Sequence, residues 1–283
     1  MGGGDAVDVD DGVEGLAGVE LDLQLSNDGR VTVALARWLV VAGDELDPGR
    51  HWERTARDWI AWTRTPDHDA FWSYRAAFRA FVPPPGEATL EVGCGEGRIA
   101  RELTDLGHRV TAVDLSPTLL AAARDAGSGR HHVRGDAEHL PIATGSFDRV
   151  VAYNVLMDVA DMPAAVGEIS RVLRPGGLVT ISVVHPLADR GRFASREPDA
   201  PFVLEASWFD RREIDVIDER DGLRMHFAGW VHPLPHYVAA LREAGLAVVD
   251  LAEPVPDDPS DPRLSGRWDR VPMFCWLTAI ALP

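Results

Sequence analysis

The residues with the clearest chemical potential are a glycine-rich stretch and the acids around it. The stretch Thr89-Leu90-Glu91-Val92-Gly93-Cys94-Gly95-Glu96-Gly97-Arg98 starts as a short apolar run, places three glycines at alternate positions and continues into a helical pattern. This order predicts a strand, a tight turn and the start of a helix. A turn with few side chains at a helix N-terminus can hold a ligand against backbone N–H groups. An ordinary glycine-rich turn has the same pattern, so the neighbouring motifs must decide.

Acidic and amide residues follow the next predicted strands. Asp114 ends the second strand, seventeen residues after Gly97, where a carboxylate can accept hydrogen bonds from both hydroxyls of a ribose. Asp136 follows the third strand, where an adenine amino group can donate to it, and Asn154 ends the fourth. Ligands of doubly wound sheets lie outside the carboxyl ends of the strands, at the switch point. The constellation therefore predicts an adenosine-bearing ligand.

The glycine spacing bears on which adenosine ligand this is. A dinucleotide site expects G-x-G-x-x-G, with helix-terminal amides on the pyrophosphate, whereas this chain has G-x-G-x-G. Acids stand before the turn (Glu91), within it (Glu96) and after the next two strands. Such a set suits a cationic ligand better than a pyrophosphate, and S-adenosylmethionine carries sulfonium and ammonium charges.

The elements that position these residues alternate along the chain. Strands followed by helices predict a doubly wound α/β sheet, and the continuous apolar run of the fifth strand is typical of a buried parallel strand. The predicted strands are Ala88–Val92, Arg109–Asp114, His131–Arg134, Phe147–Asn154, Leu178–Val184, Ala247–Leu251 and Met273–Ala281. The predicted helices run from Gly97 to Leu106, from a cap at Ser116-Pro117, from a cap at Asp161 to Pro175-Gly176-Gly177, and from Pro233 to Ala244.

Two segments stand apart from this sheet. Residues 1–50 form an acidic extension with eleven acidic and three basic residues, read as a β-hairpin around Asn27-Asp28-Gly29, as a disordered tail, or as translated sequence upstream of the true start. Residues 51–283 form the main domain. Within it, residues 188–230 form an insertion in which Asp221-Gly222 predicts a hairpin. An insertion after the fifth strand stands over the strand ends, which favours a lid or acceptor pocket over a solvated excursion.

Between the extension and the sheet, aromatic residues recur at helical spacing. The stripe from Trp52 to Thr63 predicts one helix, and Thr65-Pro66 predicts the start of another. Most of these aromatics are expected in the core. Trp62 and Trp72 lie off the two stripes, so they are the candidates to cover a ligand on the glycine turn.

Several motifs in order resemble the class I S-adenosylmethionine-dependent methyltransferases, in the branch that methylates small molecules. The resemblance covers the chain from about Trp52 and runs through Leu90–Gly97, Val113-Asp114-Leu115-Ser116, Gly135–Pro141, Ser146-Phe147-Asp148, Tyr153–Leu156 and Arg171–Gly177. It implies a seven-stranded Rossmann-like sheet whose last strand is antiparallel, with N-terminal helices and a lid insertion after strand five.

The resemblance also implies roles for individual residues. The three glycines shape the pocket for the methionine end of the cofactor, S-adenosylmethionine, and Glu91 helps hold its amino group. Asp114 takes the ribose hydroxyls, Asp136 takes the adenine amine, and Asn154 lines the pocket near the transferring methyl. Between the glycines, Cys94 is expected to pack rather than react. The implied cofactor-binding positions are Glu91, Gly93, Cys94, Gly95, Gly97, Asp114, Leu115, Asp136, Ala137 and Asn154.

Catalysis depends on the methyl acceptor. Orientation alone can supply ~7–11 kcal/mol of barrier lowering, and a base is needed only if the acceptor loses a proton. His185, at the end of strand five, is the best-placed candidate base, with His232, His236 and Asp158 behind it, and a structural role is the alternative for each. Where this branch often has histidine after strand four, the chain has Met157-Asp158, which leaves acid–base chemistry there open.

Composition narrows the partners. The formal net charge is −17 and lysine is absent from the sequence, which argues against a nucleic-acid surface. Two isolated cysteines favour a reducing cytoplasm, and the longest apolar stretch is broken by Arg37, so no membrane span is predicted. The expected partner is a small-molecule acceptor, with no metal site predicted and the oligomeric state open. The alternatives are an NAD(P)-dependent oxidoreductase and a non-catalytic, methyltransferase-like cofactor-binding subunit.

Overall fold

The computed structural model describes residues 46–195, 197–258, 260–261 and 264–283, together with two short strands near the N-terminus. These strands, β1 (Asp22–Leu25) and β2 (Val31–Ala34), pair antiparallel with Leu25 opposite Val31. The predicted hairpin therefore has its two strands, while the turn between them and the rest of the acidic extension lie outside the described residues.

The main domain alternates helices and strands as the sequence predicts. Its helices are α1 (Pro48–Arg64), α2 (Arg75–Phe81), α3 (Arg98–Asp105), α4 (Pro117–Asp125), α5 (Met162–Val172) and α6 (Leu234–Glu243). Its strands are β3 (Thr89–Val92), β4 (Val110–Asp114), β5 (His131–Arg134), β6 (Phe147–Tyr153), β7 (Leu173–Val184), β8 (Gly191–Phe193), β9 (Phe202–Leu204), β10 (Arg212–Arg220), β11 (Leu223–Val231), β12 (Leu246–Ala252) and β13 (Phe274–Ala281).

Seven strands form one sheet in the order β12-β13-β7-β6-β3-β4-β5. The pairs β3–β4, β4–β5, β3–β6 and β6–β7 are parallel, while β13 runs antiparallel between β7 and β12. This confirms the predicted Rossmann-like sheet with an antiparallel last strand. The chain moves outward from β3 to β5 and then returns to the other side of β3 with β6. The switch point therefore lies between β3 and β6.

Helices cover both faces of the sheet, so alternate residues of each strand enter separate cores. Leu90 and Val92 pack with residues of α5 and α6, whereas Val151 and Tyr153 pack with residues of α2 and α3. The predicted caps are present: Ser116 accepts from the N–H of Leu119, and Asp161 accepts from that of Ala164. These caps fix where α4 and α5 begin, and hence where the loops at the carboxyl edge end.

The N-terminal helices differ from the prediction in one respect. Thr65 ends α1, because its N–H and its hydroxyl both bond back to the carbonyl of Ala61. The next helical turn starts instead at Ala70, where the Asp69 side chain accepts from the N–H of Phe71. The prediction that a helix starts at Thr65-Pro66 was wrong, because Asp69, four residues after Thr65, caps the helical turn instead.

The insertion of residues 188–230 holds two strand pairs, β8–β9 and β10–β11. The predicted hairpin is confirmed: Arg220 pairs with Leu223, and Asp221 and Gly222 both have positive φ, as a tight two-residue turn requires. The β11 strand packs against α1, and the Trp230 N–H bonds to the carbonyl of Met157. The hairpin is thus fixed against the loop after β6. Among the described residues, no helix is both long and apolar enough to cross a membrane.

Candidate cofactor and active site

The glycine turn connects β3 to α3 at the switch point. Gly93, Gly95 and Gly97 all have positive φ, of 67°, 56° and 88°. A Cβ on Gly93 would lie 2.4 Å from a methyl carbon of Val155, and one on Gly97 would lie 2.3 Å from Ser128. The three glycines are therefore required by backbone conformation and, at Gly93 and Gly97, by close packing as well.

Cys94, between the first two glycines, packs as the sequence predicts. Its side chain is buried in the core under α3, and burial raises the pKa of its thiol well above the ordinary value. Its N–H donates to the carbonyl of Val113 at 2.9 Å. Cys94 thus ties the turn to β4, and its thiol is neither exposed nor ionised.

Asp114, at the end of β4, holds the same turn from the other side. One carboxylate oxygen accepts from the N–H of Gly95 at 2.7 Å, and the other accepts from the N–H of Ser116 at 2.9 Å. Burial raises the pKa of Asp114 to about 6, against these backbone hydrogen bonds, which lower it. Each oxygen has a second lone pair, so the carboxylate can still accept from a ligand.

Glu91 is the most unusual group at the site. It is 1% exposed, and its Oε2 atom has no hydrogen-bond partner among the residues that the structure describes. Burial raises the pKa of Glu91 well above the ordinary value, and the charge of Arg98 opposes that effect. A buried carboxylate oxygen without a partner is costly in a folded protein. The position therefore suits a cationic ligand group.

Glu96 does not serve the ligand in the way the sequence indicates. Its carboxylate forms ion pairs with Arg64 at 3.0 Å and with Arg101 at 2.6 Å, and it is 1% exposed. These two guanidinium groups already satisfy its charge. Glu96 therefore joins α1 and α3 to the turn. The prediction that Glu96 favours a cationic ligand was wrong.

The remaining predicted cofactor residues lie at neighbouring strand ends. Asp136 is half-buried and accepts from the N–H of Glu138 at 2.9 Å, which places Ala137 within a short turn after β5. Asn154, after β6, has φ of +53°, and its Oδ1 accepts from the Ser182 hydroxyl at 2.7 Å. The positions are thus brought to one edge of the sheet, on both sides of the switch point.

Helix α1 crosses this edge and contributes residues that the sequence analysis missed. At one end, Gly49 packs on the partly exposed Leu115, with a hypothetical Cβ 2.7 Å from its Cδ2 atom. One turn on, Glu53 accepts from the Ser116 hydroxyl at the start of α4. Further along, the Trp59 indole nitrogen lies 3.2 Å from a hypothetical Cβ on Gly95. Helix α1 therefore spans the edge from Leu115 to the glycine turn.

The prediction that Trp62 or Trp72 covers the turn was wrong. Trp62 is 2% exposed and packs edge-on against Phe227 of β11, while the Trp72 indole donates to the carbonyl of Thr63. Trp59 approaches the turn instead, although it lies on the apolar stripe of α1. The stripe faces both the β11 strand and the turn, so periodicity could not separate core from site.

Arg98, just after the turn, was also missed. Its guanidinium forms an ion pair with Asp69 at 2.9 Å, both side chains being 8% exposed, and it lies over the rings of Trp59 and Tyr153. The pair links the turn to the segment before α2. Its signal in the sequence was only an arginine at the first helical position.

The candidate bases are placed differently from one another. His185 lies at the end of β7, where its Nδ1 accepts from the N–H of Leu187 at 3.0 Å and its Nε2 faces Glu253 at 3.0 Å. Burial lowers the pKa of His185. Since Nδ1 is an acceptor, Nε2 carries the proton and donates to Glu253. Both ring nitrogens are thus engaged in the fold.

Asp158 follows β6 closely and faces β11. Its Oδ1 would lie 2.9 Å from a Cβ on Gly229, and burial raises its pKa well above the ordinary value, helped by the charge of Asp189. His232 and His236 lie farther along, at the end of β11 and on α6, with ring centroids 6.3 Å apart. The candidates therefore belong to three places: Asp158 lies beside the switch point, His185 at the end of β7, and the pair of His232 and His236 near α6.

Comparisons with known proteins agree with this geometry. A family described as "Methyltransferase domain" matches residues 90–181. The malonyl-[acyl-carrier protein] O-methyltransferase of Serratia marcescens is 39% identical over 100 residues, which are 35% of this chain and 39% of that protein. The chain thus spans about two fifths of the length of the curated relatives it matches.

Two solved structures resemble the whole domain. An S-adenosylmethionine-dependent methyltransferase from Mesorhizobium loti is 26% identical, covers 76% of this chain and 99% of its own, and gives a TM-score of 0.58. The [4+2]-cyclase SpnF is 19% identical over 83% of this chain and 95% of its own, with a TM-score of 0.52, which shows the fold alone. The chain therefore contains a methyltransferase domain over residues 90–181, and its fold matches the class of S-adenosylmethionine-dependent methyltransferases. The cofactor of that class is S-adenosylmethionine.

Proposed function

We propose that this protein transfers a methyl group from S-adenosylmethionine to a small-molecule acceptor. The observation that carries the proposal is the buried Glu91 carboxylate, whose Oε2 lacks a partner among the described residues, directly before a glycine turn tied to Asp114. An ammonium group beside Glu91 would satisfy that oxygen, and ribose hydroxyls can donate to the spare lone pairs of Asp114. Both groups belong to S-adenosylmethionine.

The chain's own residues supply position and shelter for this reaction. S-adenosylmethionine, when bound, would supply an electrophilic methyl group on its sulfonium sulfur for transfer to the acceptor, with S-adenosylhomocysteine as the other product. In our proposal, the glycine turn and Glu91 hold the methionine end, Asp114 and Asp136 hold the adenosine, and Asn154 faces the reacting region. Trp59 and the β11 strand exclude water from above. Holding the reactants in line can supply ~7–11 kcal/mol of barrier lowering.

We infer that the acceptor is a small molecule bound under the 188–230 insertion. The relative named for malonyl-[acyl-carrier protein] matches only 35% of this chain, so its acceptor does not carry over. A net charge of −17 also disfavours docking of an acidic carrier or a nucleic acid. Both cysteines are buried and unpaired, which supports a cytoplasmic location.

If the acceptor must lose a proton, Asp158 is the proposed base. Burial raises its pKa well above the ordinary value, which makes its carboxylate a stronger base, and the loop that bears it follows β6, one strand from the glycine turn. The other candidates are less suited. His185 has both ring nitrogens engaged, and burial lowers the pKa of His232 to about 4.

The cofactor assignment is tested by replacing Asp114 with alanine. Calorimetry should show that S-adenosylmethionine binds wild type and that Asp114→Ala weakens binding at least tenfold, because hydrogen bonds to a charged group contribute about 1.5–3 kcal/mol. Asp125→Ala, at the exposed end of α4, is the matched control and should bind like wild type. Circular dichroism would confirm that both variants are folded. Equal affinity in folded Asp114→Ala and wild type would overturn the assignment.

A second candidate is a cofactor-binding protein without methyl transfer. The structural likeness to a protein described as a [4+2]-cyclase shows that this fold is not tied to one reaction. Incubation with methyl-labelled cofactor and a panel of small hydroxyl, amine and carboxylate compounds separates the two. Transfer of label to any compound supports the methyltransferase. Tight cofactor binding with no transfer across the panel supports the second candidate.

A further inference from the structure

A cavity of about 410 Å³ lies between the start of α5 and the length of α6, and none of its lining residues belongs to the glycine turn. This volume is within the range of small-molecule sites. Its lining combines basic side chains with apolar side chains, and two acidic residues also contribute to it. The lining residues are Ala160, Asp161, Met162, Pro163, Arg211, His232, His236, Ala239, Ala240 and Glu243.

His232 is the first sign that the cavity is a site. Its side chain is 5% exposed, yet its Nε2 atom is buried without a hydrogen-bond partner among the described residues. Burial lowers the pKa of His232 to about 4, and the charges of Arg211, His236 and Arg190 act in the same direction. The ring is therefore neutral at physiological pH and has a polar nitrogen that the fold leaves unsatisfied.

Arg211 is the second sign. Its guanidinium lies over the Trp230 ring, 4.6 Å from the centroid, and makes one long hydrogen bond of 3.5 Å to the carbonyl of Ala160. Arg211 takes part in none of the ion pairs between the described residues. A guanidinium that is held on an aromatic face with spare N–H groups is prepared for a planar, two-oxygen anion.

The other charges limit the ligand to a monoanion. Asp161 and Glu243 also line the cavity, but the Asp161 side chain caps α5 through Ala164 and Glu243 is 71% exposed beside Arg242. One arginine beside a neutral histidine matches a single negative charge, and the two acids disfavour a dianion such as phosphate. The apolar residues Met162, Pro163 and Ala240 suit a hydrocarbon body.

We propose that this cavity binds a small organic carboxylate, with the carboxylate on Arg211 and His232 and the apolar body between α5 and α6. The inference does not rest on methyl transfer, because the cavity and the glycine turn share no lining residue. It also gives a role to His232 and His236 that needs no catalysis.

The test uses benzoate and hexanoate as probes on the full chain. Calorimetry should detect binding of at least one of them at millimolar concentration or below, and the uncharged analogues benzamide and hexanol should bind at least tenfold more weakly. Arg211→Gln should weaken carboxylate binding about tenfold or more. The control is Arg242→Gln, which replaces an exposed arginine of α6 that does not line the cavity and should leave carboxylate binding unchanged.

Two further measurements keep the outcome clear. In histidine-selective NMR, the ring signals of His232 should shift on addition of the carboxylate, and His232→Gln should retain weaker binding if the fold is preserved. The affinity for S-adenosylmethionine should be the same in wild type and Arg211→Gln, which separates this site from the cofactor site. Failure of both carboxylates to bind folded wild type, or equal binding by Arg211→Gln, would overturn the proposal.

Discussion

At the scale of single residues, Asp114 combines a structural and a proposed binding role. Its two carboxylate oxygens hold the N–H groups of Gly95 and Ser116, so the residue shapes the turn before any ligand arrives. The same burial that makes those hydrogen bonds effective also raises its pKa to about 6. The charge that a ribose would need is thus lost within an accessible pH range.

Cofactor affinity should therefore depend on pH. Because the ionised form accepts from the ribose hydroxyls, binding of S-adenosylhomocysteine should be constant above the pKa and weaken by up to about tenfold for each pH unit below it. Calorimetry between about pH 8 and about pH 5 measures this. The Asp114→Asn variant should bind S-adenosylhomocysteine more weakly, and its affinity should depend less on pH. The pH dependence that is left would come from Glu91, whose pKa is also raised. A wild-type affinity that does not change with pH would contradict the expectation.

The same shift has the opposite sign for stability. The folded-state pKa of Asp114 lies above its ordinary value of 3.8, so folding favours the protonated form. Its contribution to the free energy of unfolding is fully present below that ordinary value and is lost as the pH rises through about 6. The site therefore carries a cost at neutral pH, as functional sites often do.

At the scale of elements, the glycine turn shows how a motif that suggests ligand binding is also demanded by packing. Gly97 begins α3 with φ of +88°, and a Cβ there would lie 2.3 Å from Ser128 and 2.9 Å from Ala123 of α4. Gly127, at the end of α4, also has positive φ but has no atom within 4 Å of its hypothetical Cβ. A comparison of substitutions at Gly97 and Gly127 therefore separates the effect of backbone strain from the effect of close packing.

Gly97→Ala should accordingly be more destabilising than Gly127→Ala. The left-handed backbone costs about 1–2 kcal/mol in either variant, and overpacking at Gly97 adds about 1–3 kcal/mol. Denaturant unfolding monitored by circular dichroism gives both free energies of unfolding. Equal losses in the two variants would mean that Ser128 and Ala123 move aside without cost.

The scale of elements also explains why the sequence predicted helix α1 but not its contacts with the site. Its residues recur at helical spacing, which predicts a helix but not its neighbours. Only in the structure does one helix join Leu115, the start of α4 and the glycine turn, through Gly49, Glu53 and Trp59.

At the scale of the whole molecule, the sequence places an acidic extension before the domain that holds the site. Asp47 caps α1, and the described domain runs on from residue 46. In our proposal the extension contributes to charge and not to the fold or the cofactor site.

Deletion of residues 1–46 tests that domain boundary. The shortened chain should keep its circular dichroism spectrum, its midpoint of thermal unfolding within about 2 °C and its affinity for S-adenosylmethionine. It should also elute earlier from an anion exchanger, since it carries fewer acids. A loss of cofactor binding would place part of the extension in the site.

The amino-acid sequence by itself determined the sheet, the glycine turn, the caps at Ser116 and Asp161 and the hairpin at Asp221-Gly222. These features depend on hydrophobic period, positive φ and local side-chain hydrogen bonds, which are properties of neighbours in the chain. The tertiary structure alone decided that Glu96 pairs with two arginines, that Trp59 lies over the turn, and that Arg211 and His232 line one cavity. Each of these joins residues from different elements. Their contacts depend on how helices and strands pack, and periodicity does not encode that.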